Sequence, residues 1–156
     1  MESYWRATIS KAGNIFRAAT AGGATVGLGS EAQVVALGEY GLAVGTILQV
    51  LDDCRDVFDE SPSKGYEVSL PLLLYYAGNP KRRTEPMAAN RKALTRRLKA
   101  ARVQDMIADI LGNWRERAIT SLQAVDDSEA VRLLGTFVDR ILSPEKKNEN
   151  DRIPLP

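Results

Sequence analysis

An all-α bundle of about six helices is the fold the sequence predicts, and three features carry that reading. Apolar residues recur at three- and four-residue steps along nearly the whole chain. The strict alternation that marks strands is almost absent, and 156 residues are enough to bury the core such a bundle needs.

The first helix is expected from about Glu2 to Thr20, where Trp5, Ile9, Ala12, Ile15, Phe16 and Ala19 fall on helical spacing. "AGGATVGLG", Ala21 to Gly29, then carries four glycines and should break it. Ser30 followed by Gln33 forms a capping-box pattern. From there a long central helix runs to about Phe58, interrupted in pattern only by Gly38, Gly41 and Gly45. Glycine lowers helix propensity, so close packing against a neighbour is the expected compensation. "DESPSKGYEVS" reads as a loop. "SLPLLLYYAGNP" reads as a short apolar helix with Ser69 as its cap, Pro71 in its first turn and Gly78 at its end. Another helix is expected from Thr84 to about Arg102. A further one follows, carrying Val103, Met106, Ile107, Ile110, Leu111, Trp114, Ala118, Ile119 and Leu122. The last is capped by Asp127 or Ser128 and carries Leu133, Leu134, Phe137, Val138 and Ile141. The chain thus divides into a helical domain over 1–142 and a loose polar tail over 143–156.

Composition narrows the class without naming a partner. The formal charge is +1, from 21 Lys and Arg against 20 Asp and Glu. A single cysteine cannot form an internal disulfide, there is no secretory signal pattern, and no apolar run approaches the ~20 residues of a membrane span. A cytoplasmic protein without a membrane span is the expectation. From Lys81 to Arg102 the chain is strongly basic. Without interleaved aromatics or a nucleic-acid motif this reads as a solvated face balancing the acidic first half, so no nucleic-acid partner is expected. Tyr75 and Tyr76 read as core residues. So does Cys54, because the chain contains no histidine to activate a thiol.

Chemistry concentrates in "GTILQVLDDCRDVFDE", residues 45–60. Gln49, Asp52, Asp53 and Asp56 are separated by three, four and seven positions and so share one helix face. Ile47, Leu48, Val50, Leu51, Val57 and Phe58 cover most of the remaining circumference, which calls for burial. Unpaired buried carboxylates are prohibitively expensive, and like charges so close raise one another's pKa unless a cation intervenes. The acidic face is therefore expected to look into a polar cavity holding Mg²⁺, a hard ion that prefers oxygen and shares its shell with phosphates. A solvated acidic face is the competing reading of the same letters.

"QVLDDCRD" resembles the second aspartate-rich motif of the trans-isoprenyl diphosphate synthases. "KAGNIFRAATAGGA", about forty residues upstream, is similar to that family's Lys-Thr-Gly helix, and "SLPLLLYYA" resembles its Thr-Leu-Pro helix. The match spans roughly Ser3 to Ala77. It implies the isoprenoid synthase fold, and Asp52, Asp53 and Asp56 as ligands of Mg²⁺ bridging to a substrate diphosphate. It also implies catalytic roles for Lys11, facing the allylic diphosphate, and for Gln49, supporting the acidic face. The implied reaction joins isopentenyl diphosphate to an allylic diphosphate. The sequence departs from the family in several ways. The family's earlier half, with its first aspartate-rich motif, has no counterpart here, and Asp126-Asp127 lacks a third aspartate. Ala12 replaces a threonine, and Glu67 stands where a diphosphate-binding lysine is expected, leaving Lys64 as its substitute. These departures imply a half-length prenyltransferase subunit that associates with a chain carrying the first motif, or with itself. A non-catalytic regulatory subunit of such a synthase is the alternative. A small class I terpene cyclase is a weaker one, because the second metal motif of that family is missing.

Overall fold

A computed structural model describes residues 1–58, 69–79, 81–82, 91–126 and 128–143. Among these residues the chain is helical throughout, with no strand. Helix α1 (Glu2–Thr8) passes through a π-helical turn (Ile9–Gly13) into α2 (Asn14–Val26) without leaving helical backbone geometry. These three pieces form one rod. With α3 (Glu31–Phe58), α4 (Leu70–Gly78), α5 (Arg91–Ala100), α6 (Val103–Leu122) and α7 (Glu129–Leu142), the described residues make six rods, the all-α bundle the sequence predicts.

The first rod runs beyond its expected end at Thr20. It crosses Gly22 and Gly23 and stops only at Gly27. Glycine costs a helix about 1 kcal/mol, and packing against α3 outweighs that: the Thr20 hydroxyl donates to the Leu37 carbonyl of α3 at 2.6 Å. The capping box at the start of α3 forms as expected. Gln33 Oε1 accepts from the Ser30 backbone N–H at 2.8 Å, and Ser30 Oγ accepts from that of Gln33 at 3.3 Å.

Helix α3 is the axis of the bundle. Its middle joins α6 and α7 through Tyr40, Ala43, Val44, Ile47, Ala118, Leu122 and Val138. Its C-terminal half joins α1, α4, α5 and α6 through a second cluster that includes Tyr4, Val50, Val57, Leu70, Leu98 and Val103. The glycines serve the contact with the first rod. A Cβ on Gly41 would strike the Phe16 carbonyl and the Thr20 hydroxyl, and one on Gly45 would lie 2.7 Å from the Ala12 carbonyl oxygen. Gly38 is looser, with its nearest neighbour, Arg17 Cγ, at 3.5 Å.

The expectation that no apolar run approaches a membrane-spanning length needs correction at α3, where the run continues past Glu39. Among the described residues α3 is the one helix long and apolar enough to cross a membrane by length and composition. The fold buries 61% of its apolar window, as expected of a core helix.

Other expectations need adjustment. Leu133 and Phe137 of α7 are exposed while Val138 is fully buried, so the apolar stripe of α7 is wider than the face that packs. Tyr75 is buried and Tyr76 half-buried, in keeping with core roles. Helix α5 is described from Arg91. The expected start at Thr84, the loop over 59–68 and the tail over 144–156 lie outside the described residues, as do Asp127, Lys64 and Glu67. Ser128 caps α7, its Oγ accepting from the Val131 N–H at 3.2 Å. Ser69 occupies the N-cap position of α4 with extended backbone, yet its hydroxyl makes no cap and is buried without a hydrogen-bond partner.

Candidate active site

The polar wall of one cavity is built by two rods. From the first come Tyr4 and Thr8 of α1 and Lys11 of the π turn, at positions i, i+4 and i+7 of one face. From α3 come Gln49, Asp52, Asp53 and Asp56. The space between them is about 550 Å³, with Leu73 of α4 contributing an apolar patch. The acidic face therefore looks into a hollow, with a lysine on the facing rod.

Lys11 reaches this wall from inside the π turn. There the Asn14 N–H donates to the Ile9 carbonyl, five residues back instead of four. Such wide turns are rare and frequently occur at functional sites. The turn sits directly on α3: a Cβ on Gly13 would lie 3.2 Å from Thr46 Oγ1, and Gly45 abuts Ala12 from the other side.

The aspartates do not stand alike. Asp52 is exposed and Asp56 half-buried, both on the cavity wall. Asp53 is buried, at 8% exposure, and its carboxylate is engaged by three donors. Oδ2 accepts from the Tyr4 hydroxyl at 2.8 Å and from the Leu70 backbone N–H at 2.9 Å, and Oδ1 accepts from Gln49 Nε2 at 3.0 Å. Asp53 thereby satisfies the first N–H of α4, next to the silent Ser69 hydroxyl. Burial, then the Asp53 charge, push the Tyr4 phenol well above its ordinary pKa, so it remains a donor to that carboxylate. The same two causes push the Cys54 thiol up to about 12, which keeps it protonated and unreactive, as a core cysteine should be.

Sequence reasoning brought together Lys11, Gln49, Asp52, Asp53 and Asp56, and all five line this cavity. Lys64 lies outside the described residues. Tyr4 was missed, although its spacing from Thr8 and Lys11 was a readable signal.

Among the described residues, no three His, Cys, Asp or Glu side chains stand close enough to hold a metal ion together. Asp52 and Asp56 still suit Mg²⁺ chemically, because that ion is usually bound through one or two carboxylates, with water and substrate phosphate filling its shell.

The chain is similar in structure to a decaprenyl diphosphate synthase from Rhodobacter capsulatus, with a TM-score of 0.75 over 94% of this chain, at 22% identity. The fold is that of a prenyl diphosphate synthase. The chain spans about half the length of that synthase, covering 51% of it. No protein-family model matches the sequence, and no curated protein does. The prenyl-synthase fold thus rests on shape together with the motif order read from the sequence.

Proposed function

We propose that the chain is one half of a trans-prenyltransferase site, the half that binds a metal-bridged allylic diphosphate. The observation that carries this is the shared cavity, where Lys11 on one rod stands across from Asp52 and Asp56 on the next. In this reading Asp52 and Asp56 hold Mg²⁺, Lys11 holds negative charge on the allylic diphosphate, and Gln49 steadies the acidic face through Asp53. When bound, Mg²⁺ supplies electrostatic stabilisation of the charge that develops on the departing diphosphate. Lys64 is the candidate for a second basic contact. The first aspartate-rich motif and the basic residues that bind isopentenyl diphosphate would come from an associated chain in the cytoplasm.

Exposed apolar residues favour such an association. Ile15, Phe16 and Val26 of α2, Leu28 in the turn after it and Val35 of α3 are exposed large hydrophobics on neighbouring elements.

A second reading, a non-catalytic regulatory subunit, draws on the engagement of Asp53 and the absence of a three-ligand group among the described residues. One pair of measurements separates the two. Calorimetry should detect pyrophosphate binding that requires Mg²⁺, and Asp52→Ala with Asp56→Ala should abolish it while circular dichroism keeps its helical signal. Isopentenyl and allylic diphosphates are then supplied with and without a partner chain carrying the first motif. Product formed only in the mixture supports the subunit. No product, together with no Mg²⁺-dependent pyrophosphate binding, supports the regulator.

A further inference from the structure

We infer that Asp53 is a positioning residue and not a metal ligand: through Tyr4 and the first turn of α4 it fixes the part of α3 that presents Asp52 and Asp56 to the cavity. The inference rests on the diphosphate-site reading above for what is positioned, but its geometry is independent of any metal.

Consecutive helix residues point about 100° apart, so Asp52 and Asp53 leave α3 in different directions although both border the cavity. Asp53 turns towards the junction of three rods. Its partners lie 49 and 17 residues away in sequence, one on α1 and one at the start of α4. Hydrogen bonds to a charged acceptor are roughly twice as strong as neutral ones, so this carboxylate ties the three rods more firmly than a neutral cap would. The tie on the α1 side is itself packed against aromatic rings. The Tyr4 ring packs edge-on against Trp5 with centroids 5.0 Å apart, and Trp5 lies 6.2 Å from Trp114 of α6. On the α4 side the residue expected to cap the helix leaves its hydroxyl buried and unpartnered, so the first N–H of α4 depends on Asp53. A carboxylate holding these donors has little freedom to swing to an ion. What it controls is placement, and a misplacement of about 1 Å in a site can cost ~10²-fold in rate.

The test uses Eu³⁺ with inorganic pyrophosphate on the full chain. Luminescence decay in H₂O and D₂O counts the water molecules bound to the ion. Asp52→Asn should add one bound water or abolish binding. Asp53→Asn and Tyr4→Phe should leave the count as in the wild type while weakening Mg²⁺-dependent pyrophosphate binding several-fold. Combining Tyr4→Phe with Asp53→Asn should weaken it no further than Asp53→Asn alone. One additional water in Asp53→Asn overturns the inference, and so do fully additive effects of the two substitutions. If Asp53→Asn does not fold, Tyr4→Phe decides alone: weakened binding at an unchanged water count supports the inference, and unchanged binding overturns it. If the wild type binds neither ion with pyrophosphate, the diphosphate reading fails instead. The positioning geometry is then judged without metal, where both variants should lower the melting temperature by non-additive amounts, and additive shifts overturn it.

Discussion

Two stretches of the same helix meet the same rod in opposite ways. Over Gly41 to Gly45, α3 has no side chain at the two closest points and touches the backbone of the π turn and α2 directly. Over Gln49 to Asp56, only a turn or so further on, polar side chains and α1 border a space of about 550 Å³, and the Tyr4–Asp53 hydrogen bond bridges the two rods. One contact locks the two rods in register, and the other uses that register. Lys11 belongs to the π turn that the glycines grip, so the placement of the cation opposite the carboxylates is set by packing where no polar chemistry occurs. The difference teaches that a binding hollow between two helices needs a neighbouring point where they cannot slide.

Breaking the lock should have the largest effect. Gly41→Ala puts a methyl group against the Phe16 carbonyl, which belongs to backbone and cannot rotate away. Overpacking of this kind costs about 1–3 kcal/mol, and the upper end is expected here because the obstacle is main chain. The gain in helix propensity offsets about 1 kcal/mol of the unfavourable term. Urea unfolding should show a lowered midpoint with an unchanged slope. A midpoint equal to that of the wild type would mean that the two rods slide freely, and the proposed link between lock and hollow would go.

At the open end the effects on stability should be smaller and split between neighbouring residues. Tyr4→Phe removes one donor to a carboxylate that keeps Gln49 and the Leu70 N–H, without creating a void, so a loss of about 0.5–1.5 kcal/mol is expected. Asp52→Asn acts on an exposed side chain, and a change within about 0.5 kcal/mol is expected. Yet Asp52→Asn should abolish or strongly weaken Mg²⁺-dependent pyrophosphate binding. Thermal melts without metal, set beside calorimetry with it, check this crossing of effects. Equal destabilisation by both substitutions would erase the distinction between the two aspartates.

The bundle and its acidic face were legible in the sequence because both follow from helical periodicity. Steps of three and four placed Gln49, Asp52, Asp53 and Asp56 together, and Ser30 with Gln33 marked the start of α3. The glycines of α3 were legible as a packing surface because only a close neighbour explains several of them in one helix. What was not legible depends on tertiary partners. Periodicity gives a shared face but not which carboxylate a neighbouring helix will claim, and α4 claims Asp53 through the Leu70 N–H. Ser69 looked like a cap because local patterns cannot show that a remote acceptor has taken over the role. Tyr4 was passed over because the apolar pattern of the first helix drew attention to Trp5 and Ile9. The helix end at Thr20 was misplaced because propensity is a weak prior when one face is packed.

The last test turns on a glycine that resembles Gly41 in sequence terms and differs from it in every physical one. Gly22 lies in α2, is exposed, and would present a new methyl group to open space, with nothing within 4 Å. No contact at Gly22 itself makes use of the missing side chain, so the backbone freedom that this glycine loses on folding is a local cost. Gly22→Ala should therefore stabilise the chain by about 0.5–1 kcal/mol, the opposite sign from the same substitution at Gly41. The combined Gly22→Ala, Gly41→Ala chain should show both effects nearly additively, since the two residues have no common neighbour in space. Denaturant midpoints of the two single variants and the double one check this. If Gly22→Ala instead destabilises, α2 must be held by a contact on its outer face, and that face would be the surface to search for an associated chain.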